Sequence, residues 1–237
     1  MTERATPRRR GSYGIDAPIA PALLTVLAVL YLVLAINTGE RKFWVEAAFI
    51  LAIDAIYLYA TLRSKFAVWA DLLDQLKLRG DERILDLGCG RGAVLMLAAQ
   101  HLTTGRAVGV DLWKRGDQSG NAAEATQRNA VAEGVADRVE VHTGDMQALP
   151  FEDNSFDLIV SSMAIHNISG RAGREKAVSE AVRVLRPGGR LLIADVRGTR
   201  QHQAQLAKIG MNEVSGRRLR WPFMARLVTA TKPDGRS

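Results

Sequence analysis

Cysteine is almost missing from this chain: Cys89 stands alone among 237 residues. A single cysteine excludes an intramolecular disulfide framework and a zinc site built on several cysteines, which makes a reducing compartment the simpler setting. Proline is scarce as well, seven in all, and with 47% apolar residues this argues against disorder or a collagen-like chain. No internal repeat or low-complexity tract is visible. Charge of one sign is not lacking, but its excess is moderate: 32 Lys and Arg against 25 Asp and Glu give +7. That value suggests contact with an anionic surface without separating nucleic acid from phospholipid. The length allows one full domain of roughly 150 residues plus something extra.

The extra part is a pair of apolar runs. Ile19 to Ile36 departs from the apolar set only at Pro21 and Thr25, and as a helix it covers about 27 Å, close to a hydrocarbon core of roughly 30 Å. Pro18 and Pro21 fall in its first turn, where a missing N–H is tolerated. Phe43 to Leu62 follows, broken only by Glu46, Asp54 and Thr61, and the short connection Asn37–Lys42 forces an antiparallel hairpin. A signal peptide fits poorly, because a second apolar run follows at once and no small-x-small cleavage site precedes a mature domain. A buried hairpin of a soluble fold is the other alternative; the length and uniformity of the runs favour a two-pass membrane anchor.

Arg4, Arg8, Arg9 and Arg10 flank one end, Arg63, Lys65, Lys77 and Arg79 the other, and the loop carries only Arg41 and Lys42. This places both termini in the cytoplasm, on a cell membrane. Asp54, near the middle of the second span, must face protein or water. With the small-xxx-small pair Ala48 and Ala52 it hints at a homo-oligomer formed through the transmembrane helices. Residues 1–18 then form a basic N-terminus, 19–62 the hairpin, 63–79 an amphipathic linker helix ended by Gly80, and 80–237 the globular domain. The linker helix carries Phe66, Trp69, Leu72, Leu73 and Leu76 on one face, to lie on the membrane or against the next domain.

From Arg83 onward short β-like runs alternate with helical stretches. The expected strands are Arg83–Leu87, Ala107–Asp111, Val139–His142, Leu158–Ser162 and Leu191–Val196, with helices near Val94–His101, Ala122–Glu133 and Arg174–Leu185. Such alternation means a parallel sheet with helices on both faces. Gly216–Pro222 and Ala225–Thr231 lie close together and suggest an edge hairpin. The first strand runs into Asp86-Leu87-Gly88-Cys89-Gly90-Arg91-Gly92, where glycines permit a tight turn and close ligand approach before a helix N-terminus. Alone, this also fits a loose dinucleotide fingerprint, and Asp111 suits ribose hydroxyls in either reading.

The order of motifs separates the two. ILDLGCGRG, VGVDL, TGDMQALPF, SFDLIVSS and RVLRPGGRLLIADV, closed by RLVTATKP, resemble the class I S-adenosylmethionine-dependent methyltransferases across Arg63–Pro233. A stretch from Asp111 to Ala130 is similar to a bacterial subgroup in which hydrophobic spans precede the catalytic domain. The resemblance implies a Rossmann-like, doubly wound, seven-stranded α/β sheet with an antiparallel last strand. It implies S-adenosylmethionine as cofactor, with Asp86, Gly88 and Gly90 around its methionine part and Asp111 on the ribose. Leu112 lies against the adenine, Asp145 takes the adenine amino group with Met146 beside it, and Ser161 sits near the methionine moiety. Acids at strand ends complement a cationic sulfonium and ammonium.

Trp113, Asp117, Gln118, Ser119 and Asn121 read as substrate or cofactor contacts, or as loop and N-cap hydrogen bonding. His166 follows the fourth strand, where the ligand crevice of an open α/β sheet lies, and its imidazole can take a proton from an attacking hydroxyl, or else bind a loop carbonyl. No metal cluster appears, so no metal is expected. The resulting expectation is methyl transfer, at oxygen, to a small lipophilic acceptor drawn from membrane lipids: a quinone or phenol, a prenyl compound or a lipophilic antibiotic. A non-catalytic cofactor-binding scaffold and an RNA methyltransferase are the rivals. Arg217, Arg218, Arg220 and Arg226 are basic, but no RNA-binding module or NPPY-like tetrad accompanies them, so no nucleic acid is expected as partner.

Overall fold

The computed structural model describes residues 9–114 and 116–235; Arg4 and Arg8 of the basic flank lie outside them. Helix α1 (Ile19–Thr38) starts behind Pro18 and ends at Gly39, whose left-handed backbone (φ 70°) returns its N–H to the Ala35 carbonyl. Helix α2 (Arg41–Tyr59) runs back along it. Small residues, Ala28, Ala35 and Ala47, are buried, so the two backbones can approach closely. Thr25 Oγ1 donates to Asp54 Oδ2 at 2.9 Å. The polar partner that Asp54 requires therefore comes from within the hairpin, while Ala48 and Ala52 face outward. Both helices are long and apolar enough to cross a membrane, and Leu23, Val26, Leu30, Trp44, Phe49 and Ile53 are exposed along them.

The second apolar helix does not stop at Leu62. One π-type turn, Ala60–Ser64, leads straight into α3 (Lys65–Leu76). Helix α3 turns its apolar stripe inward: Phe66, Val68, Trp69, Leu72 and Leu73 all join the core. Each such side chain contributes about 1.5–3 kcal/mol of burial, so α3 is a structural layer of the domain rather than a tether. It ends at Lys77, itself left-handed (φ 48°), three residues before the expected Gly80.

Seven strands follow: β1 (Arg83–Leu87), β2 (Arg106–Asp111), β3 (Val139–Thr143), β4 (Phe156–Ser162), β5 (Leu185–Asp195), β6 (Asn212–Arg218) and β7 (Arg226–Thr231). Their order in the sheet is β3-β2-β1-β4-β5-β7-β6. Strands β1–β5 are parallel, and β7 is antiparallel to both β5 and β6. The winding reverses between β1 and β4, which opens a crevice at their carboxyl ends. Helices α4 (Ala93–Gln100) and α5 (Ala123–Glu133) cover one face with α3. Helices α6 (Arg171–Val184) and α7 (Thr199–Lys208) cover the other.

Two elements depart from the sequence reading. Helix α7 was not expected, because TRQHQAQLAK offers the core only Leu206 as a large apolar side chain. Strand β6 lies at Asn212–Arg218 rather than Gly216–Pro222. The apolar Leu219 and Phe223 are buried in the α3 face of the core from a loop, and the edge strand itself is polar.

Candidate active site

The cleft lies at the carboxyl ends of β1, β2 and β3. Gly88 has φ 70° and Gly90 φ 50°; a Cβ on Gly88 would stand 2.3 Å from Ala164 Cβ, and one on Gly90 2.5 Å from Gln118 Oε1. No side chain fits at either place. The Gly88 and Cys89 amides both donate to the Val110 carbonyl, at 2.9 and 3.2 Å, which folds the loop over β2. Asp111, closing β2, accepts from Gly90 N on Oδ2 (2.9 Å) and from Trp113 N on Oδ1 (2.6 Å), with Asn121 Nδ2 at 3.3 Å. Asp145, after β3, is fixed by Gln147 N at 2.9 Å. Leu112 and Met146 line the same cavity.

Asp86 is buried under the glycine loop, and among the described residues its Oδ1 has no hydrogen-bond partner. Burial, and then the charge of Asp111, push its carboxyl up to about 7, against the pull of a backbone hydrogen bond and of Lys65. A buried, half-satisfied carboxylate beside two more acids suits a cationic ligand, since an unmet charge is costly. Burial likewise drives the Cys89 thiol up, aided by Asp86 and Asp111, so this cysteine stays an inert wall of the cavity.

Sequence reasoning missed the far wall. Residues Gly11–Pro18, just before α1, fold back onto the domain as a strap. Ser12 exchanges bonds with Asn129, N to Oδ1 at 2.8 Å and Nδ2 to O at 2.9 Å, and the Tyr13 hydroxyl donates to Glu133 at 2.9 Å. Tyr13 packs edge-on to Phe66 at 5.0 Å. Asp16 and Lys65 then meet inside the cavity, Nζ to Oδ2 at 2.7 Å, with Thr61 Oγ1 on the same oxygen at 2.9 Å. Lys65 is buried, although the helical pattern sets it off the apolar stripe.

The strap explains the polar loop after β2. Ser119 Oγ accepts from Ile15 N (2.8 Å) and Ser119 N donates to the Ile15 carbonyl (3.0 Å). Gln118 donates Nε2 to Asp16 Oδ1 (2.8 Å) and accepts Arg91 N on Oε1 (2.7 Å). Gln118, Asn121 and Asp117 line the cavity; Ser119 and Trp113 do not. Trp113 is pinned by its Nε1 on Thr143 Oγ1 at 2.7 Å. The Asp117 carboxyl is raised by burial and by Asp111, opposed by Lys114 and His166.

His166 lies in a short 3₁₀ turn after β4 (Ile165–Asn167). Its Nδ1 is 2.6 Å from Oδ1 of Asp195, and its backbone N–H donates to the other oxygen at 3.0 Å. The contact is close enough for an ion pair but off the line of an Nδ1–H bond. Asp195, fully buried at the end of β5, was not singled out in the sequence; the acid closing RLLIADV was its only signal. His166 itself is not part of the cavity wall, which includes its neighbours Ala164 and Asn167; its charge acts on Asp117 of that wall. Ser161 departs from its expected place: its hydroxyl donates to the Leu87 carbonyl at 3.0 Å, tying β4 to β1, and it lies outside the cavity wall. The next residue explains why, since strand side chains alternate and Ser162 takes the cavity side. His202 is buried and its pKa lowered by that burial, so it is a neutral core histidine.

Comparison with known proteins agrees with this geometry. A methyltransferase-domain family matches residues 85–193. A ubiquinone/menaquinone biosynthesis C-methyltransferase from a Ruegeria species is 33% identical over 129 residues, 54% of this chain and 48% of that one. A 27-O-demethylrifamycin SV methyltransferase from Amycolatopsis mediterranei is 34% identical over 126 residues, 52% and 42% of the two chains. The chain thus spans about half the length of the curated relatives it matches. In fold it is similar to a SAM-dependent methyltransferase from Aquifex aeolicus, with a TM-score of 0.56 at 20% identity, over 69% of this chain and 88% of the other. The glycine loop, the three acids at strand ends and this family match carry one conclusion: the α/β part of the chain is a class I S-adenosylmethionine-dependent methyltransferase domain.

Proposed function

We propose that this protein is a two-pass membrane methyltransferase that methylates a hydroxyl of a lipophilic acceptor on the cytoplasmic side. The observation that carries the chemistry is the His166–Asp195 pair, at 2.6 Å, with the residues flanking His166 in sequence, Ala164 and Asn167, on the cavity wall. When bound, S-adenosylmethionine supplies an electrophilic methyl group on a sulfonium. Asp86 with the glycine loop would hold its methionine part, Asp111 its ribose and Asp145 its adenine amino group. As an acceptor hydroxyl attacked that methyl group, its proton would pass to His166 Nε2. Asp195, 2.6 Å from Nδ1, would stabilise the charge that the ring acquires. Approach geometry supplies the rest of the rate.

The membrane reading is supported by the exposed apolar flanks of α1 and α2 and by the excess of Lys and Arg at their outer ends. A water-soluble acceptor does not call for such helices; a quinol, phenol, prenyl compound or lipophilic antibiotic does. The outward Ala48 and Ala52 leave a face for self-association. Methylation at carbon is the second reading, favoured by the named C-methyltransferase relative; a phenol ionised by His166 serves it too.

The test is reconstitution of the full chain in proteoliposomes with S-adenosylmethionine labelled in its methyl group. Label should enter the organic extract when a lipophilic hydroquinone or phenol is present, and product analysis should place it on oxygen. Transfer to RNA alone, or no transfer with intact cofactor binding, contradicts the proposal.

A further inference from the structure

The loop between β6 and β7 holds the largest unassigned apolar exposure of the α/β domain. Trp221 and Met224 are 70% and 76% exposed. Their neighbours are not: Leu219 and Phe223 are buried in the same core as Phe66 and Trp69, and Leu219 N bonds the Ala225 carbonyl at 2.9 Å. The loop base is thus anchored, so the two tip residues are presented outward rather than left over from a poor core. An exposed apolar tip on a fixed base marks a contact surface.

Its direction is set by the sheet. Arg226, opening β7, pairs with Asp195, the last residue of β5. Because β7 is antiparallel, the loop before it emerges at the edge where β1–β5 end. Lys65 lines the cavity on that edge, so the unbroken α2–α3 helix enters the domain there too. Leu112, after β2, and Val196, after β5, are further exposed apolar side chains on the same edge. Arginines border the tip: Arg217, Arg218 and Arg220 lead into it, and Arg197 and Arg200 lie on the adjoining β5–α7 segment, all exposed. Asp71, 3.6 Å from Arg220, is the one acid paired with them among the described residues.

From this geometry we infer that the β6–β7 loop is a third membrane contact, inserting Trp221 and Met224 into the interface of an anionic bilayer while the arginines meet phospholipid phosphates. Tryptophan belongs at that depth because its ring is apolar and its N–H polar, and basic side chains are drawn to anionic headgroups. The loop borders the groove that holds Val196 and Arg200, next to Asp195. The contact therefore places the acceptor half of the site against the lipid from which an acceptor would come. This rests on the membrane reading above and adds to it which edge of the domain faces the bilayer.

The test uses the full chain in nanodiscs, spin-labelled at Met224→Cys or at Ile209→Cys. Ile209 is also exposed but lies at the far end of α7, on the opposite edge; Cys89 is buried and can remain. In phosphatidylglycerol nanodiscs the label at 224 should be several-fold less accessible to an aqueous relaxer, and more accessible to oxygen, than the label at 209. Phosphatidylcholine, or Arg217→Gln with Arg218→Gln and Arg220→Gln, should shrink that difference. Equal accessibility at both positions in a nanodisc-bound chain overturns this inference and leaves the anchor standing. Protection of position 224 by added RNA rather than by lipid overturns it in favour of a nucleic-acid surface. A chain that does not co-elute with nanodiscs overturns both.

Discussion

The two halves of the cleft are built from opposite materials. Around β1, β2 and β3 the walls are glycine backbone and carboxylates, Asp86, Asp111 and Asp145, and the strap closes them with a further ion pair, Asp16–Lys65. Around β4, β5 and the β6–β7 loop stand the His166–Asp195 pair and a groove lined by Val196, Leu219, Trp221 and Met224 with Arg200, Arg218 and Arg226. The first half answers to a small, cationic, invariant ligand, so its groups are numerous and fixed. On the proposed reading the second serves a bulky apolar acceptor, for which one polar group at the reacting atom and an open side suffice. The difference separates what the fold supplies generally from what this chain adds.

The comparison predicts that lesions in the two halves separate rate from affinity. The largest effect belongs to the acceptor half: His166→Ala should lower turnover by roughly 10²–10⁴-fold and leave cofactor affinity unchanged by calorimetry. Asp195→Asn should cost on the order of 10²-fold, with the same silence in binding. Asp111→Ala should do the reverse, weakening S-adenosylmethionine by about 1.5–3 kcal/mol. If Asp111→Ala changes only turnover, or His166→Ala chiefly affinity, the division of labour is misdrawn.

Asp86 gives the cofactor half a pH signature. Its carboxyl is raised from 3.8 to about 7, so between those values the folded, cofactor-free chain keeps a proton that the unfolded chain has lost. Stability from this group should therefore be full below about 4, decline as pH rises, and be gone above about 7. Cofactor affinity should move oppositely, strengthening as pH climbs through 7 and the carboxylate forms. Melting temperatures and titrations across pH 5–8 check both trends, and Asp86→Asn should flatten them.

Smaller effects probe the outer parts. Asn129→Ala deletes three bonds, two that seat the strap, to Ser12 N and Ser12 O, and one to Arg91 O in the glycine loop. It should destabilise by about 1–3 kcal/mol and raise hydrogen exchange over residues 11–17. Thr25→Val removes the hydrogen bond to Asp54 and should cost only about 0.6 kcal/mol, the usual size of an interhelical bond in a membrane.

What the sequence revealed follows the same division. ILDLGCGRG and the acids ending β2 and β3 were legible because their function is local: a tight turn and a carboxylate need only a few adjacent residues. His166 was legible by position alone. Asp195 was not, because its meaning depends on a histidine 29 residues away across a strand pair. The strap was invisible for the same reason, more strongly: residues 12 and 129 stand 117 apart, and no periodicity advertises such a bond. Gln118 and Ser119 read as ligand contacts or loop hydrogen bonding because their partners, Asp16 and Ile15, lie before the first apolar run. Helix α7 and strand β6 escaped because a sheet edge asks little of the core, so apolar periodicity is weak there.

The central claim, that the acceptor reaches His166 from the bilayer, is tested most directly by surface dilution. The full chain is reconstituted in vesicles with a lipophilic phenol at fixed bulk concentration, and lipid is added to lower its mole fraction in the membrane. The account predicts that the initial methyl-transfer rate falls with mole fraction while bulk concentration stays constant. A rate that tracks bulk concentration and ignores the added lipid would contradict it.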